Sequence, residues 1–469
     1  MKTKRVLACA LSFSIILMLL PTIAMAAPVG AEVGGTTYPT LVEAIAAAND
    51  GDTITLTGDV SATSDPTSPG LGIDKNLTIQ GADANARLVG ESANATFAFA
   101  AKAGATVIFE NMTVSGFGDE VSSSIGSAAI FKIQSSATAG TKFIARDLQI
   151  EKFNRAAFAF FSGEFEITNC VIDCANSNTS HLTKGISVGY GTGLQAHGII
   201  KNTTIKNANS TYQNDVSAAI EVCNNSDVTI EGCTLTNVQN GVTVSRYYTG
   251  GTPSEDAAAT VKKTTIEATR NALEINGNPN NTNTGKATLS VMCGKYKGGI
   301  GINPEDDTCK LVIHRGYFSD DPSAFLAEGR TADSINKDGY NYMVGVEPVV
   351  TDITPSGTGV ARSGNIVITF NVAMDAIPGA VTLDGTALTG GAWNDDHTIF
   401  TIPYSGLVSD KQYELMISGF KDGECGVLVA EDTRRFTTIT DSGSGGGPIS
   451  GPDPTPTLVP DMIVKVPKT

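Results

Sequence analysis

A short strand with apolar residues at its first and third positions returns along the middle of this chain. It occurs at Phe97/Phe99, Phe131/Ile133, Phe158/Phe160, Ile186/Val188, Ile220/Val222, Val242/Val244, Leu273/Ile275 and Ile300/Ile302, with starts 34, 27, 28, 34, 22, 31 and 27 residues apart. A loop of variable length follows each one, then a second strand, a tight polar turn and a third strand, as in Val107-Ile-Phe-Glu-Asn-Met-Thr-Val114. The turn position holds Asn111, Asp147, Asn169, Asn202, Gly232, Lys263 and Arg315. The first five are residue types that tolerate a left-handed backbone or cap a turn, and Lys263 and Arg315 break the preference. Three short strands per unit with no helical period between them argue against a sandwich, whose turns fall about every 8 to 12 residues. They predict a solenoid in which successive units pair as parallel strands, ~4.8 Å apart along one axis.

In such a coil only the inward member of each alternating pair should be buried, and small side chains suit the narrow interior. The residue after the turn (Met112, Leu148, Cys170, Thr203, Cys233, Thr264) should form one stacked column. Cys170 and Cys233 then lie two coils apart, ~9.6 Å, beyond the ~7 Å Cα limit for a disulfide, so both should be free thiols. Cys170-x-x-x-Cys174 followed by His181 is half of a zinc-site pattern with no second pair, so neither metal nor cofactor is expected. The open end of a solenoid needs a cover. Thr40-Leu-Val-Glu43 reads as a capping box opening a short helix, Leu41 to Ala48, stopped at Asn49-Asp50-Gly51 and followed by the strand Ile54/Leu56.

Residues 1–26 read as an export signal. Lys2, Lys4 and Arg5 precede the apolar run Val6 to Leu20, and Ala24-Met25-Ala26 supplies the cleavage site. The net charge of −16 becomes more negative without those cations and argues against nucleic acid as a partner. No membrane insertion is expected after cleavage, and the chain is expected to be a monomer. The coil should occupy residues 27–346. From 347 to 440 the pattern becomes that of a small antiparallel β-sandwich, with strands at Val349–Ile353, Ile366–Phe370, Ala380–Leu383, Ile399–Ile402, Tyr413–Ser418 and Phe436–Ile439. Residues 441–469, rich in Gly, Ser and Pro, read as a linker or tail. The final Val466-Pro-Lys-Thr469 looks like the start of a wall-sorting motif.

The run Tyr38 to Leu56, the Asn-turn coils and the segment Gly316 to Gly329 resemble exported bacterial right-handed parallel β-helix proteins with a pectate-lyase-like fold. Ile368 to Asp375, Ala392-Trp393-Asn-Asp and Ile417 to Gly423 resemble the bacterial Ig-like domains of S-layer and other surface proteins, with Glu424-Cys425 in place of the Gly-Asn that would complete the last turn. These resemblances imply an all-β, secreted or cell-surface protein.

Polysaccharide lyases and hydrolases on this scaffold need carboxylates, calcium ligands or Arg/Lys on the outside of the coil. Trp393, the sole Trp, lies outside the coil, which removes pectate-lyase signatures that set a Trp beside an Asp-His pair. Ala196-His197-Gly198 only approximates Gly-His-Gly, and Asp306-Asp307 follows it where it should precede. Paired acids at Asp320-Asp321 and Asp395-Asp396 read as solvated turn caps. No catalytic residue is assigned. Arg246, Tyr247 and Tyr248 begin a long loop, and with Tyr190 and Tyr212 on other loops they could form a sugar-stacking platform. The expected function is adhesion or scaffolding without catalysis, with an extracellular glycan or a surface or matrix protein as partner. A secreted polysaccharide lyase or glycoside hydrolase is the alternative.

Overall fold

A computed structural model of the chain describes residues 29–65, 70–90, 98–117, 129–134, 137–175, 183–189, 195–209, 217–223, 225–245, 256–276, 285–303 and 308–440. The export signal and the tail lie outside these residues. The chain divides into two units, the first running to Glu347 and including Glu424–Gly426, the second comprising Pro348–Gly423 and the residues from Val427 on.

The first unit is a parallel β-helix with three sheets. Sheet A runs from Leu71–Ile73 through Phe99–Ala101, Ala129–Ile133, Ala156–Phe160, Lys184–Val188 and Ala218–Cys223 to the last segments of Thr234–Ser245, Thr264–Asn276 and Gly294–Asn303. Sheet B stacks Thr53–Thr57, Leu77–Gly81, the first halves of Thr106–Phe117 and Lys142–Phe153, then Gly163–Thr168, Ala196–Lys201, Ser226–Glu231, Ala257–Lys262, Ala287–Val291 and Cys309–Ile313. Sheet C stacks the third strand of each unit, from Asp59–Ser61 to Gly316–Phe318. Two of these coils precede the first repeat read from the sequence, and their strands Asp59–Ser61, Leu71–Ile73 and Arg87–Val89 are only three residues long.

Phe131, Phe158, Ile186, Ile220, Val242, Leu273 and Ile300 fall in one register column of sheet A. The first repeat is shifted from the sequence reading, since Phe131 pairs with Phe99 rather than with Phe97, which lies outside the described residues. Between sheets B and C the chain turns on one left-handed residue. Asn111, Asp147, Asn169, Asn202 and Gly232 have φ of 57, 53, 55, 49 and 64°, and Lys263 adopts 53° despite its side chain. Tertiary pairing on both sides of Lys263 imposes there the conformation that Asn and Gly reach cheaply elsewhere. Arg315 does not adopt it.

The post-turn column is buried throughout, and Thr203 sits between Cys170 and Cys233. Its hydroxyl donates to Lys201 O at 3.0 Å and accepts from the Cys170 backbone N–H at 3.3 Å. Thr264 repeats the motif under Cys233, with 3.0 Å to Lys262 O and 3.3 Å from the Cys233 N–H. Both cysteines are free, and burial pushes the Cys170 thiol up to about 12 and that of Cys233 to about 11.

The interior is less uniformly small than the sequence reading held. Phe99, Phe109, Phe131, Phe143, Phe158, Phe160 and Phe165 form a continuous ladder with neighbouring centroids from 4.5 Å (Phe160–Phe165) to 5.7 Å (Phe109–Phe143). Gly198, the register partner of Phe165 in the next coil, explains how one of these rings fits: a Cβ there would collide with Phe165.

The helix Leu41–Ala47 buries Leu41, Ala44 and Ile45 against the first coil. Thr40 Oγ1 accepts from the Glu43 N–H at 3.3 Å, whereas Glu43 Oε2 is buried without a hydrogen-bond partner, so only half of the capping box forms. Lys75 from the next coil donates to Ala48 O at 2.6 Å and Ile45 O at 3.2 Å, closing the helix C-terminus with a cation. At the far end Tyr340–Val344 pairs antiparallel with Gly316–Phe318, ending the parallel stack.

The second unit is a two-sheet sandwich. One sheet has the order Val350–Thr354, Gly364–Phe370, Ile399–Tyr404, Ala392–Trp393, and the other Gly357–Val360, Asp432–Thr438, Gln412–Ser418, Ala380–Leu383, Thr386–Ala387. Ile366, Ile368 and Phe400 from one pack with Leu415, Ile417 and Phe436 from the other. Gly357–Val360, Thr386–Ala387 and Ala392–Trp393 were missing from the sequence reading, because strands this short carry almost no alternation. Asp395-Asp396 does lie in a hairpin, between Ala392–Trp393 and Ile399–Tyr404.

Candidate functional site

The sequence reading expected only inward residues of the coil to be buried. Sheet A departs from this. Residues 129–133, 156–160 and 184–188 are buried at every position. The outer face of this sheet is therefore a second, largely buried surface, a floor on the outside of the coil. Two columns of side chains make that floor. One runs Ala129, Ala156, Lys184, Ala218, Asn240, Asn271, Gly299, and the other Lys132, Ala159, Ser187, Glu221, Thr243, Glu274, Gly301.

The floor changes character from one end to the other. Ala129, Ala156 and Ala159 form a small apolar patch with Phe161. Lys132 stands in the same coil as Ala129, 8% exposed, and burial pushes its ammonium down to about 8. Next come Lys184 and Glu221, an ion pair whose side chains are 7% and 12% exposed, with Ser187 Oγ at 3.4 Å from Glu221 Oε2. Beyond them Glu274 Oε2 accepts from Asn240 Nδ2 at 2.5 Å and Thr243 Oγ1 at 3.2 Å, and Oε1 from Asn271 Nδ2 at 2.9 Å. Asn240 Oδ1 in turn accepts from the Asn271 N–H at 3.3 Å. The floor therefore offers fixed donors, acceptors and both signs of charge at low water content, where each counts for more than at an open surface.

Tyr190, Tyr212, Arg246, Tyr247 and Tyr248 all lie outside the described residues. Their flanking strands are described: Lys184–Val188 ends shortly before Tyr190, Ala218–Cys223 begins after Tyr212, and Thr234–Ser245 ends immediately before Arg246. These three strands are consecutive in sheet A. The floor residues Lys132, Lys184, Glu221 and Glu274 went unnoticed in the sequence. The signal was available, since each of Lys132, Ser187, Glu221, Thr243 and Glu274 is the middle residue of one of the alternating pairs.

His197 occupies a different face. On the outside of sheet B, Lys142, Glu164, His197 and Asp227 share one column and line a shallow depression of about 310 Å³. His197 Nε2 lies 3.8 Å from Glu164 Oε1, both about half exposed, and Lys142 Nζ lies 4.0 Å from Glu164 Oε2. His181, Asp306 and Asp307 are outside the described residues. Asp321 Oδ1 accepts from the Ser323 N–H at 2.9 Å, which makes it a turn cap. Among the described residues no group of three or more His, Cys, Asp or Glu is arranged to hold a metal, and no helix is long and apolar enough to cross a membrane.

No protein-family model and no curated protein matches this chain. Among solved structures it is similar over 20% of its length to CopC from Methylosinus trichosporium OB3b, at 12% identity and a TM-score of 0.18, covering 97% of that chain. It is similar over 20% of its length to the surface layer protein SbsC, domains 1-6, at 26% identity and a TM-score of 0.16, and to the N-terminal part of SbsC at 27% identity and 0.16. The matched region spans 14% and 24% of those two SbsC chains.

Proposed function

We propose that this is a secreted or cell-surface binding protein, an adhesin or scaffold without catalysis, that holds an extracellular glycan or a surface protein on the outer face of sheet A. The observation that carries this reading is the conjunction on one sheet of a hydrogen-bonded polar floor with the strands that anchor the Tyr190, Tyr212 and Arg246 to Tyr248 segments. A rigid stacked coil supplies the pre-organisation that makes such binding efficient, because little order is lost when a ligand arrives. Aromatic residues on the segments that follow or precede these strands in sequence suit saccharides, which present an apolar face and a rim of hydroxyls. Glycan and matrix-protein arrays test the reading. A signal from the wild type that falls about tenfold in Tyr247→Ala/Tyr248→Ala would support it, each lost ring removing buried contact area, whereas an array blank for the wild type would overturn it.

A polysaccharide lyase or hydrolase is the second reading, and one observation favours it: burial on the same floor brings the Lys132 ammonium down to about 8, toward the range in which a group can exchange protons in catalysis. New reducing ends or unsaturated uronates from pectin, alginate or glycosaminoglycans, lost in Lys132→Met, would establish it over the first.

A further inference from the structure

Glu221 and Glu274 occupy the same column of sheet A, one coil apart from Thr243 on either side. Glu221 has an in-chain cation, Lys184. Glu274 is held by three neutral donors, and among the described residues no Lys, Arg or His pairs with it. Its Oε2 accepts two hydrogen bonds and its Oε1 one, so Oε1 keeps acceptor capacity. Asn271 has spent its Nδ2 on that carboxylate, which leaves its Oδ1 facing the next coil beside Gly299. That coil carries no side chain on either floor column: the positions are Gly299 and Gly301, both partly exposed. A Cβ at Gly299 would collide with Asn271 Oδ1, whereas one at Gly301 would meet only Asn271 Nδ2, at 3.7 Å. The polar ladder thus ends on a backbone shelf that carries no side chain on either floor column, faced by two acceptors and by a carboxylate with no cationic partner among the described residues.

We propose that this shelf is a subsite for a primary ammonium group carried by a glycan, that is, a free amino sugar. The ammonium donates to Glu274 Oε1 and Asn271 Oδ1 and supplies the cation that Lys184 gives to Glu221, while the sugar ring lies over Gly299 and Gly301. Charge decides between an amine and a plain hydroxyl, because a half-buried carboxylate gains more from a cationic donor than from a neutral one. The acidic net charge of −16 attracts cationic ligands from solution. A flat shelf two residues long favours a ring over the end of a lysine side chain from a partner protein. The proposal rests on the binding role given above to sheet A.

Binding of de-N-acetylated chitosan oligosaccharides to the mature chain, measured by calorimetry beside N-acetylated chitin oligosaccharides and an oligolysine peptide, tests it. The chitosan oligomer should bind at least about tenfold more tightly than the chitin oligomer, the worth of one charge-assisted hydrogen bond, and the preference should shrink with salt. Glu274→Gln should abolish the preference. Gly301→Val, which fills the shelf and leaves the carboxylate untouched, should abolish it too, with circular dichroism and melting unchanged. Equal binding of chitosan and chitin, oligolysine binding as tightly as chitosan, or a preference that survives Gly301→Val would overturn the subsite. If the arrays show other ligands while chitosan shows none, the subsite fails and the binding role of sheet A stands; if the wild type binds nothing in either experiment, both fail.

Discussion

The outer faces of sheets A and B carry the same vocabulary of lysines and carboxylates, spaced by the same strand-to-strand step, and use it differently. On sheet B, Arg146 lies 3.8 Å from Glu110 and 3.7 Å from Glu166, and Glu231 is shared by Lys201 at 3.6 Å and Lys262 at 3.3 Å, with basic side chains 38–44% exposed. On sheet A the Lys184–Glu221 pair is nearly dry. The acids of these sheet B contacts are 18–31% exposed, so it is at the basic partner that water screens each contact, and those ladders chiefly keep an edge-rich coil soluble and discourage stray pairing. On sheet A the charges have paid their desolvation cost, and each must be matched by a specific partner.

The sharpest way to break this contrast is to remove one partner from each face. Glu221→Ala removes the ion-pair partner of the Lys184 ammonium and should destabilise the coil by about 3–5 kcal/mol, read by denaturant unfolding. Lys184→Met/Glu221→Leu should recover most of that, since the costly element is the unmatched charge. A loss from Glu221→Ala no greater than from a sheet B variant would show that sheet A is wet after all. Lys132 sharpens the comparison through pH. Its folded value of about 8 lies below the ordinary lysine value of about 10.4. Between those limits the unfolded chain keeps a proton that the folded chain has released, so stability should rise as pH climbs from 8 toward 10 and be flat in this respect below 8. Lys132→Met should remove that slope, and a slope unchanged in the variant would contradict the assignment. The smallest effect belongs to sheet B: Glu231→Gln should cost less than about 1 kcal/mol, and less still in high salt.

Much of the coil was legible because its cause is local. Alternation fixes which residues face inward, and Asn, Asp and Gly mark a corner that needs a left-handed backbone. The reading slipped where that local signal thins. Phe97-Ala-Phe99 offers two equally good registers, and only pairing with Phe131 chose between them. The coil that holds Leu71–Ile73 and Arg87–Val89 has two strands of three residues, too short for a period to show. The candidate site was harder to see. Lys132, Glu221 and Glu274 are each the middle residue of an alternating pair, and alternation by itself does not say that the outer face of sheet A is more buried than that of sheet B.

The sequence by itself determined the class of fold, the stacked Cys and Thr column and the free thiols, because each follows from residues within one unit and the fixed spacing of paired strands. Tertiary structure alone decided which outward side chains are dry, which carboxylate has a cation, and that Lys263 turns left-handed without the residue type for it. Those properties depend on what the neighbouring coils bring against a side chain, and solvent exclusion is a property of the assembled surface.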